Sequence, residues 1–86
     1  MDGRDRISWN LRKIRTAKKL TQEQLAFDAD VDRTYISGIE RGTFNPTIDL
    51  LDRLATALSI DVAEFLRTPG SSDKRPEPLK AGRKAN

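Results

Sequence analysis

The stretch Arg33-Thr34-Tyr35-Ile36-Ser37-Gly38-Ile39-Glu40-Arg41-Gly42 (RTYISGIERG) decides how the whole chain is read. At about 100° per residue, Ile36 and Ile39 fall on one side of a helix, while Arg33, Thr34, Ser37, Gly38 and Arg41 share the opposite arc. An ordinary solvated face mixes Glu with Lys on strong helix formers. This arc instead carries hydroxyls, guanidiniums and a glycine, a composition suited to close approach of the helix backbone to a partner surface. Gly42 then suits a helix end that needs positive φ.

Working outward from that helix, Asp32 is placed to cap it, and Asp30-Val31-Asp32 makes a tight connection back to a preceding helix. Thr21-Gln22-Glu23-Gln24 has the form of a capping box and opens that helix, with Leu25, Ala26 and Ala29 inward and an end near Ala29. Earlier still, Ile7, Leu11 and Ile14 form an i, i+4, i+7 stripe that predicts a first helix over roughly residues 5 to 18, with Trp9 off the stripe. Downstream, Thr43-Phe44-Asn45-Pro46 is a loop, and Thr47 caps a fourth helix with Ile48, Leu51, Leu54, Ala55 and Leu58 on an apolar face and Leu50 to one side. Asp61-Val62-Ala63-Glu64 repeats the capping-box pattern and predicts a short fifth helix with Val62, Phe65 and Leu66. The helical signal stops at about Arg67. Residues 68–86 hold three of the four prolines and little to bury, so disorder is predicted there. The expectation is an all-α chain: a compact five-helix domain over 1–67, followed by a basic, disordered tail over 68–86.

Eighty-six residues suit one domain with a core but leave no volume for a deep substrate cavity, so the function is expected on a surface. The absence of Cys and His removes disulfides, the usual zinc ligands and the commonest general base. No metal or cofactor is therefore expected. The N-terminus MDGRDRISW carries charges where a secretory signal needs an apolar block, which predicts a soluble, cytoplasmic chain without a membrane span. In residues 68–86 five cations face two anions, which accounts for the whole net charge of +3 and leaves 1–67 neutral. Within the neutral part, Arg12, Lys13, Arg15, Lys18 and Lys19 cluster apart from Asp28, Asp30 and Asp32, consistent either with one positive face or with ordinary solvated faces.

A short helix, a tight turn and a second helix with a bare polar arc is the helix-turn-helix arrangement, whose second helix lies in the DNA major groove. Small side chains admit the backbone to the base edges, Arg can fork onto O6 and N7 of guanine, and the helix N-terminus favours phosphate. Leu20-Thr21-Gln22-Glu23-Gln24-Leu25-Ala26, Val31 to Gly42 (VDRTYISGIERG) and Asn45-Pro46-Thr47 resemble the lambda-repressor-like, Cro/repressor-type (XRE) class of bacterial and phage regulators over about residues 7 to 66. Within that class, DRTYISGIER is similar to the controller proteins of restriction–modification systems.

The resemblance implies phosphate contacts for Gln22 and Asn45, base-facing positions for Arg33, Thr34 and Ser37, and a phosphate or groove-edge position for Tyr35. A ring leaning on Ile39 with its hydroxyl in water would also explain Tyr35. Arg41 either reaches the DNA backbone or simply ends its helix, where a cation suits the dipole. Glu40 sits near the apolar arc and needs a partner, and the resemblance supplies one in Arg15. Where the class usually has glycine, this chain has Lys19, Asp30 and Ser59.

One recognition helix spans few base pairs, so regulators of this kind read two half-sites as dimers. Leu50, Val62, Phe65 and Leu66 are the candidate homodimer surface, although Val62 and Phe65 could equally cap the protomer's core. The function expected is a sequence-specific regulator bound to double-stranded operator DNA, repressing or activating, with no small-molecule effector because there is no second domain. The alternative is an antitoxin-type module whose tail binds a partner protein, for which Leu79 is the only large apolar anchor. An enzyme is disfavoured, since Asp49 and Asp52 are explained by capping and solvation and no His, Cys or glycine-rich phosphate loop accompanies them.

Overall fold

The computed structural model describes residues 1–69, whose regular structure is entirely helical. In chain order these are α1 (Gly3–Ala17), α2 (Gln22–Ala29), α3 (Arg33–Arg41), α4 (Ile48–Leu58) and a 3₁₀ helix (Val62–Leu66). The tail expected to be disordered lies, beyond Pro69, outside the described residues. Helix α1 begins earlier than the apolar stripe indicates. Asp2 accepts the Asp5 backbone N–H at 2.9 Å, so a polar cap rather than the spacing of isoleucines sets the start.

The short fifth helix is 3₁₀, so the five-helix expectation is corrected to four α-helices and one 3₁₀ segment. Asp61 caps it from only two residues back, through the Ala63 N–H at 2.8 Å, and the chain is already extended at Arg67. So short a segment closes on i to i+3 bonds, and its remaining carbonyls need partners from elsewhere. Asn10 provides them. Its Nδ2 donates to the carbonyls of Phe65 (2.9 Å) and Arg67 (2.8 Å), fastening the end of the domain to α1. Asn10 is buried on the same face as Ile7 and Leu11.

Phe65, Leu11, Leu25, Ile36, Ile39, Leu54 and Leu58 are the fully buried centre, so every helix contributes at least one side chain to a single core. Helix α1 packs on α3 and the 3₁₀ helix, and α2 packs on α3 and α4. Ile48 departs from the expected inward face: it is 64% exposed. It is the first residue of α4 and lies at the edge of the apolar arc defined by Leu51, Leu54, Ala55 and Leu58.

All four α-helices end in the same way. A residue with positive φ (Lys19 at 62°, Asp30 at 58°, Gly42 at 75°, Ser59 at 59°) reverses the chain. The next N–H reaches back to a carbonyl five residues earlier: Leu20 to Arg15, Val31 to Ala26, Thr43 to Gly38 and Ile60 to Ala55, at 2.9–3.2 Å. This is the Schellman arrangement, and Leu20, Val31 and Ile60 pack on the core just after it. Three of the four turns manage without glycine, although the left-handed region crowds a Cβ against the following carbonyl. Relief of that crowding predicts that Ser59→Gly raises the unfolding free energy by about 0.5 to 1 kcal/mol, after the loss in backbone entropy. A urea titration would read this as a higher midpoint at unchanged slope; a lowered midpoint would show that the serine turn is unstrained.

Candidate nucleic-acid interface

The turn between α2 and α3 is fixed by backbone chemistry at both ends. Asp30 closes α2 in the left-handed conformation, and Asp32 opens α3 by accepting the backbone N–H of Thr34 (2.9 Å) and its hydroxyl (2.8 Å). The backbone hydrogen bond, followed by the hydroxyl bond, holds the Asp32 carboxyl below its ordinary pKa. With Ile36 and Ile39 buried beneath it, α3 presents Arg33, Thr34, Tyr35 and Arg41 to solvent and leaves Ser37 half-buried. The structure brings several of these candidates together: Arg33 Nη1 donates to Gln22 Oε1 at 3.4 Å, and Arg41 donates to the Ser37 hydroxyl.

The following loop is latched to this helix. Gly38 is buried, and a Cβ added there would lie 2.9 Å from Phe44 Cβ. Its carbonyl accepts the N–H groups of Thr43 (2.9 Å) and Phe44 (3.2 Å) and the Thr43 hydroxyl (3.3 Å). The Phe44 ring meets Tyr35 with centroids 5.1 Å apart and planes inclined by 34°. Tyr35 therefore leans on Phe44 and keeps partial exposure, while Asn45 stands exposed one residue further along. The sequence places Phe44 in the loop without naming what it would pack against. The signal for its packing was the glycine six residues earlier, in the middle of a helix.

Behind α3 lies the most heavily bonded group among the described residues. The Glu40 side chain is completely buried, and Arg15 approaches it in a fork, Nε to Oε2 at 2.6 Å and Nη2 to Oε1 at 3.0 Å. Arg12 Nε (3.4 Å) and Gln22 Nε2 (3.0 Å) also donate to Oε1. Two of the five cations clustered in the first helix and its exit thus turn to one carboxylate, which weakens a reading of that cluster as a continuous positive face. Arg15 Nη1 also donates to the Leu20 carbonyl (2.7 Å), and Ser8 donates to the Glu40 carbonyl (2.6 Å). Burial pushes the Glu40 pKa up, but the Arg15 and Gln22 hydrogen bonds and the charges of Arg15 and Arg12 outweigh it and leave the pKa lowered.

Of the four candidate dimer residues, Phe65 is 0% exposed within its own protomer, which corrects its assignment to an outer surface. A large aromatic closing the base of a small core keeps no surface of its own for a second chain. Leu50 and Val62 are half-buried, and Leu66 is 42% exposed. Trp9 is partly buried on α1.

Removal of one partner from a buried pair leaves the other charged and unanswered. Arg15→Ala is therefore expected to lower the unfolding free energy by about 3 to 5 kcal/mol. Because the folded-state pKa of Glu40 is depressed, its contribution is complete above the unfolded-state value of about 4.3 and is lost as pH falls through the folded-state value. Thermal melts between neutral and acidic pH should show this acid limb in the wild type and a shallower one in Glu40→Gln. An Arg15→Ala midpoint equal to wild type would refute the structural role of the pair.

Comparison with known proteins places this geometry. Residues 11–65 match the HTH_3 helix-turn-helix family. The control protein C.BamHI of Bacillus amyloliquefaciens is 44% identical over 57 residues, covering 65% of this chain and 70% of that protein. The crystal structure of the restriction–modification controller protein C.AhdI from Aeromonas hydrophila superposes with a TM-score of 0.70 at 44% identity, over 72% of this chain and 94% of the other. C.Esp1396I bound to a 19 base pair DNA duplex superposes with a TM-score of 0.69 at 40% identity, over 76% and 87% of the two chains. With more than half of its length matched and with α2, the turn and α3 arranged as described, the chain belongs to the HTH_3 helix-turn-helix family.

Proposed function

We infer that the chain is a sequence-specific DNA-binding transcriptional regulator of the restriction–modification controller type, acting as a homodimer on double-stranded operator DNA. It is a regulator and not an enzyme. The observation that carries the reading is the asymmetry of α3. Its inner side is locked by Ile36, Ile39 and the bonded Glu40, while Arg33, Thr34 and Tyr35 stand exposed at its N-terminal end. In this reading α3 enters the major groove, Arg33, Thr34 and Ser37 meet base edges, and Gln22, Tyr35, Arg41 and Asn45 meet phosphates or the groove edge. The likeness to a controller protein solved on a DNA duplex supports it. No helix of the described residues is long and apolar enough to cross a membrane, in keeping with work in the cytoplasm on the nucleoid.

Dimerisation follows from the arithmetic of recognition, because a single helix reads too few base pairs and paired half-sites stand about 34 Å apart. The apolar side chains left outside the core support a surface on α4 and the 3₁₀ helix: Leu66 and Ile48 are exposed, and Leu50 and Val62 are half-buried. Ile48 joins this set because the fold turns it outward, and Phe65 leaves it.

Selection from a random DNA pool at one fixed salt concentration should recover a symmetric motif for the wild type. Arg33→Ala should relax one base position in each half-site at a loss on the order of 1 to 3 kcal/mol. Recovery of no motif, with steeply salt-dependent binding in both proteins, would reduce the helix-turn-helix to a non-specific clamp. In sedimentation, Leu66→Glu should give a monomer where the wild type gives a dimer, with helical content retained. A wild type that stays monomeric at every concentration tested would remove the dimer from the proposal.

A further inference from the structure

Gln22 opens α2 on the side expected to face DNA, yet both ends of its amide are engaged within the protein. Nε2 donates to Glu40 Oε1 at 3.0 Å, and Oε1 accepts from Arg33 Nη1 at 3.4 Å. Neither bond can run the other way. An ionised carboxylate only accepts and a guanidinium only donates, so a single orientation of the amide satisfies both neighbours. A flipped amide would set its oxygen against the carboxylate and its NH₂ against the guanidinium.

Glu40 has no freedom to follow such a flip. Arg15 grips both of its oxygens and is itself tied to the Leu20 carbonyl. The bonds thus form a connected series in which every donation points toward Glu40 at the end of α3: Arg15 on α1 donates to it, Gln22 at the start of α2 donates to it, and Arg33 at the start of α3 donates to Gln22. The series passes through the fully buried Glu40 carboxylate and ends at a side chain in solvent.

We propose that Glu40 is a positioning residue for base reading: through the Gln22 amide it sets the direction of the Arg33 guanidinium, and with it the base preference of α3. The proposal rests on the reading of Arg33 as a base-contacting residue given above. A long arginine gives up rotamer freedom when it docks on a base, and a brace formed beforehand removes part of that loss. At 3.4 Å the final bond is long, so it restrains the guanidinium and yields when a guanine edge offers a better pair. Gln22 keeps one N–H unassigned in this series, so a phosphate contact from the same amide is compatible with the brace.

The test is a double-mutant cycle on the full chain, with wild type, Gln22→Met, Arg33→Ala, the double variant and Glu40→Gln compared for affinity to the selected motif and to duplexes changed at each position. Circular dichroism and a thermal melt would confirm that each variant is folded at the assay temperature. Arg33→Ala should lose about 10- to 100-fold discrimination at its base pair. The expected result is that Gln22→Met loses about three- to tenfold at that same base pair, and nothing further once Arg33 is absent. Glu40→Gln, which allows the amide to flip, should relax the same position. Should Glu40→Gln fail to fold, Gln22→Glu, which still accepts from Arg33 but no longer donates to Glu40, takes its place; a folded variant of either kind that keeps the wild-type preference would overturn the role of Glu40. A Gln22→Met variant that weakens all duplexes alike, and adds in full to Arg33→Ala, would leave only a phosphate contact and overturn the relay. An Arg33→Ala variant that keeps the wild-type preference would overturn the base-reading assignment, and the relay with it.

Discussion

A carboxylate without water around it must be answered by the protein, and in this domain Glu40 is answered from two other helices at once. Arg12 and Arg15 come from α1 and Gln22 from α2, while Glu40 itself belongs to α3. Hydrophobic burial alone would hold these helices together but would tolerate sliding and rotation, because it has no direction. Hydrogen bonds to two fixed oxygens do not. The pair is a poor investment in net stability, since a well-packed apolar replacement can do as well, but it restricts how α3 is rotated on the core. That rotation determines which side chains of α3 stand outside.

The second constraint is the way the helices stop. Each α-helix ends in a left-handed residue followed by a bond five residues back, so the chain leaves every helix in a similar direction and the next begins after a short, capped connection. Caps at Asp2, Thr21, Asp32, Thr47 and Asp61 define each start through a side-chain oxygen on a backbone N–H. Angles between helices in so small a domain thus owe as much to polar local chemistry at the ends as to the core between them.

Much of this was legible in the sequence, for identifiable reasons. The caps are short motifs, and the Ile36 and Ile39 pair is a periodicity of a few residues, so α2, the turn and α3 could be placed to within a residue. The three turns that lack glycine showed as departures from a family pattern, and the structure gives each of them positive φ. What stayed hidden depends on residues far apart in the chain. Asn10 shares the face of Ile7 and Leu11, and only contact with Phe65 and Arg67, more than fifty positions away, gives it a role. Ile48 fits the apolar arc of α4 and still faces solvent, because periodicity describes a helix and not its neighbours. Phe27, 86% exposed on α2, is by contrast readable, since it lies opposite the inward arc of Leu25, Ala26 and Ala29. For the candidate site, residue types and positions were readable, but the internal bonding of Gln22, Ser37 and Thr34 was not.

Phe44 on Gly38 has a consequence of a different kind. Three hydrogen bonds to the Gly38 carbonyl, and the Phe44 Cβ set close against the space a Gly38 Cβ would need, tie the start of the loop to α3, so the length from Asn45 to Arg33 is constrained. In the function proposed, one end of that length meets the sugar–phosphate backbone and the other meets the floor of the groove. A duplex whose groove is too wide or too narrow has to bend or twist to fit, and different base steps resist this to different degrees. The domain would then act as a gauge of DNA stiffness, discriminating among sequences at positions that none of its side chains reaches.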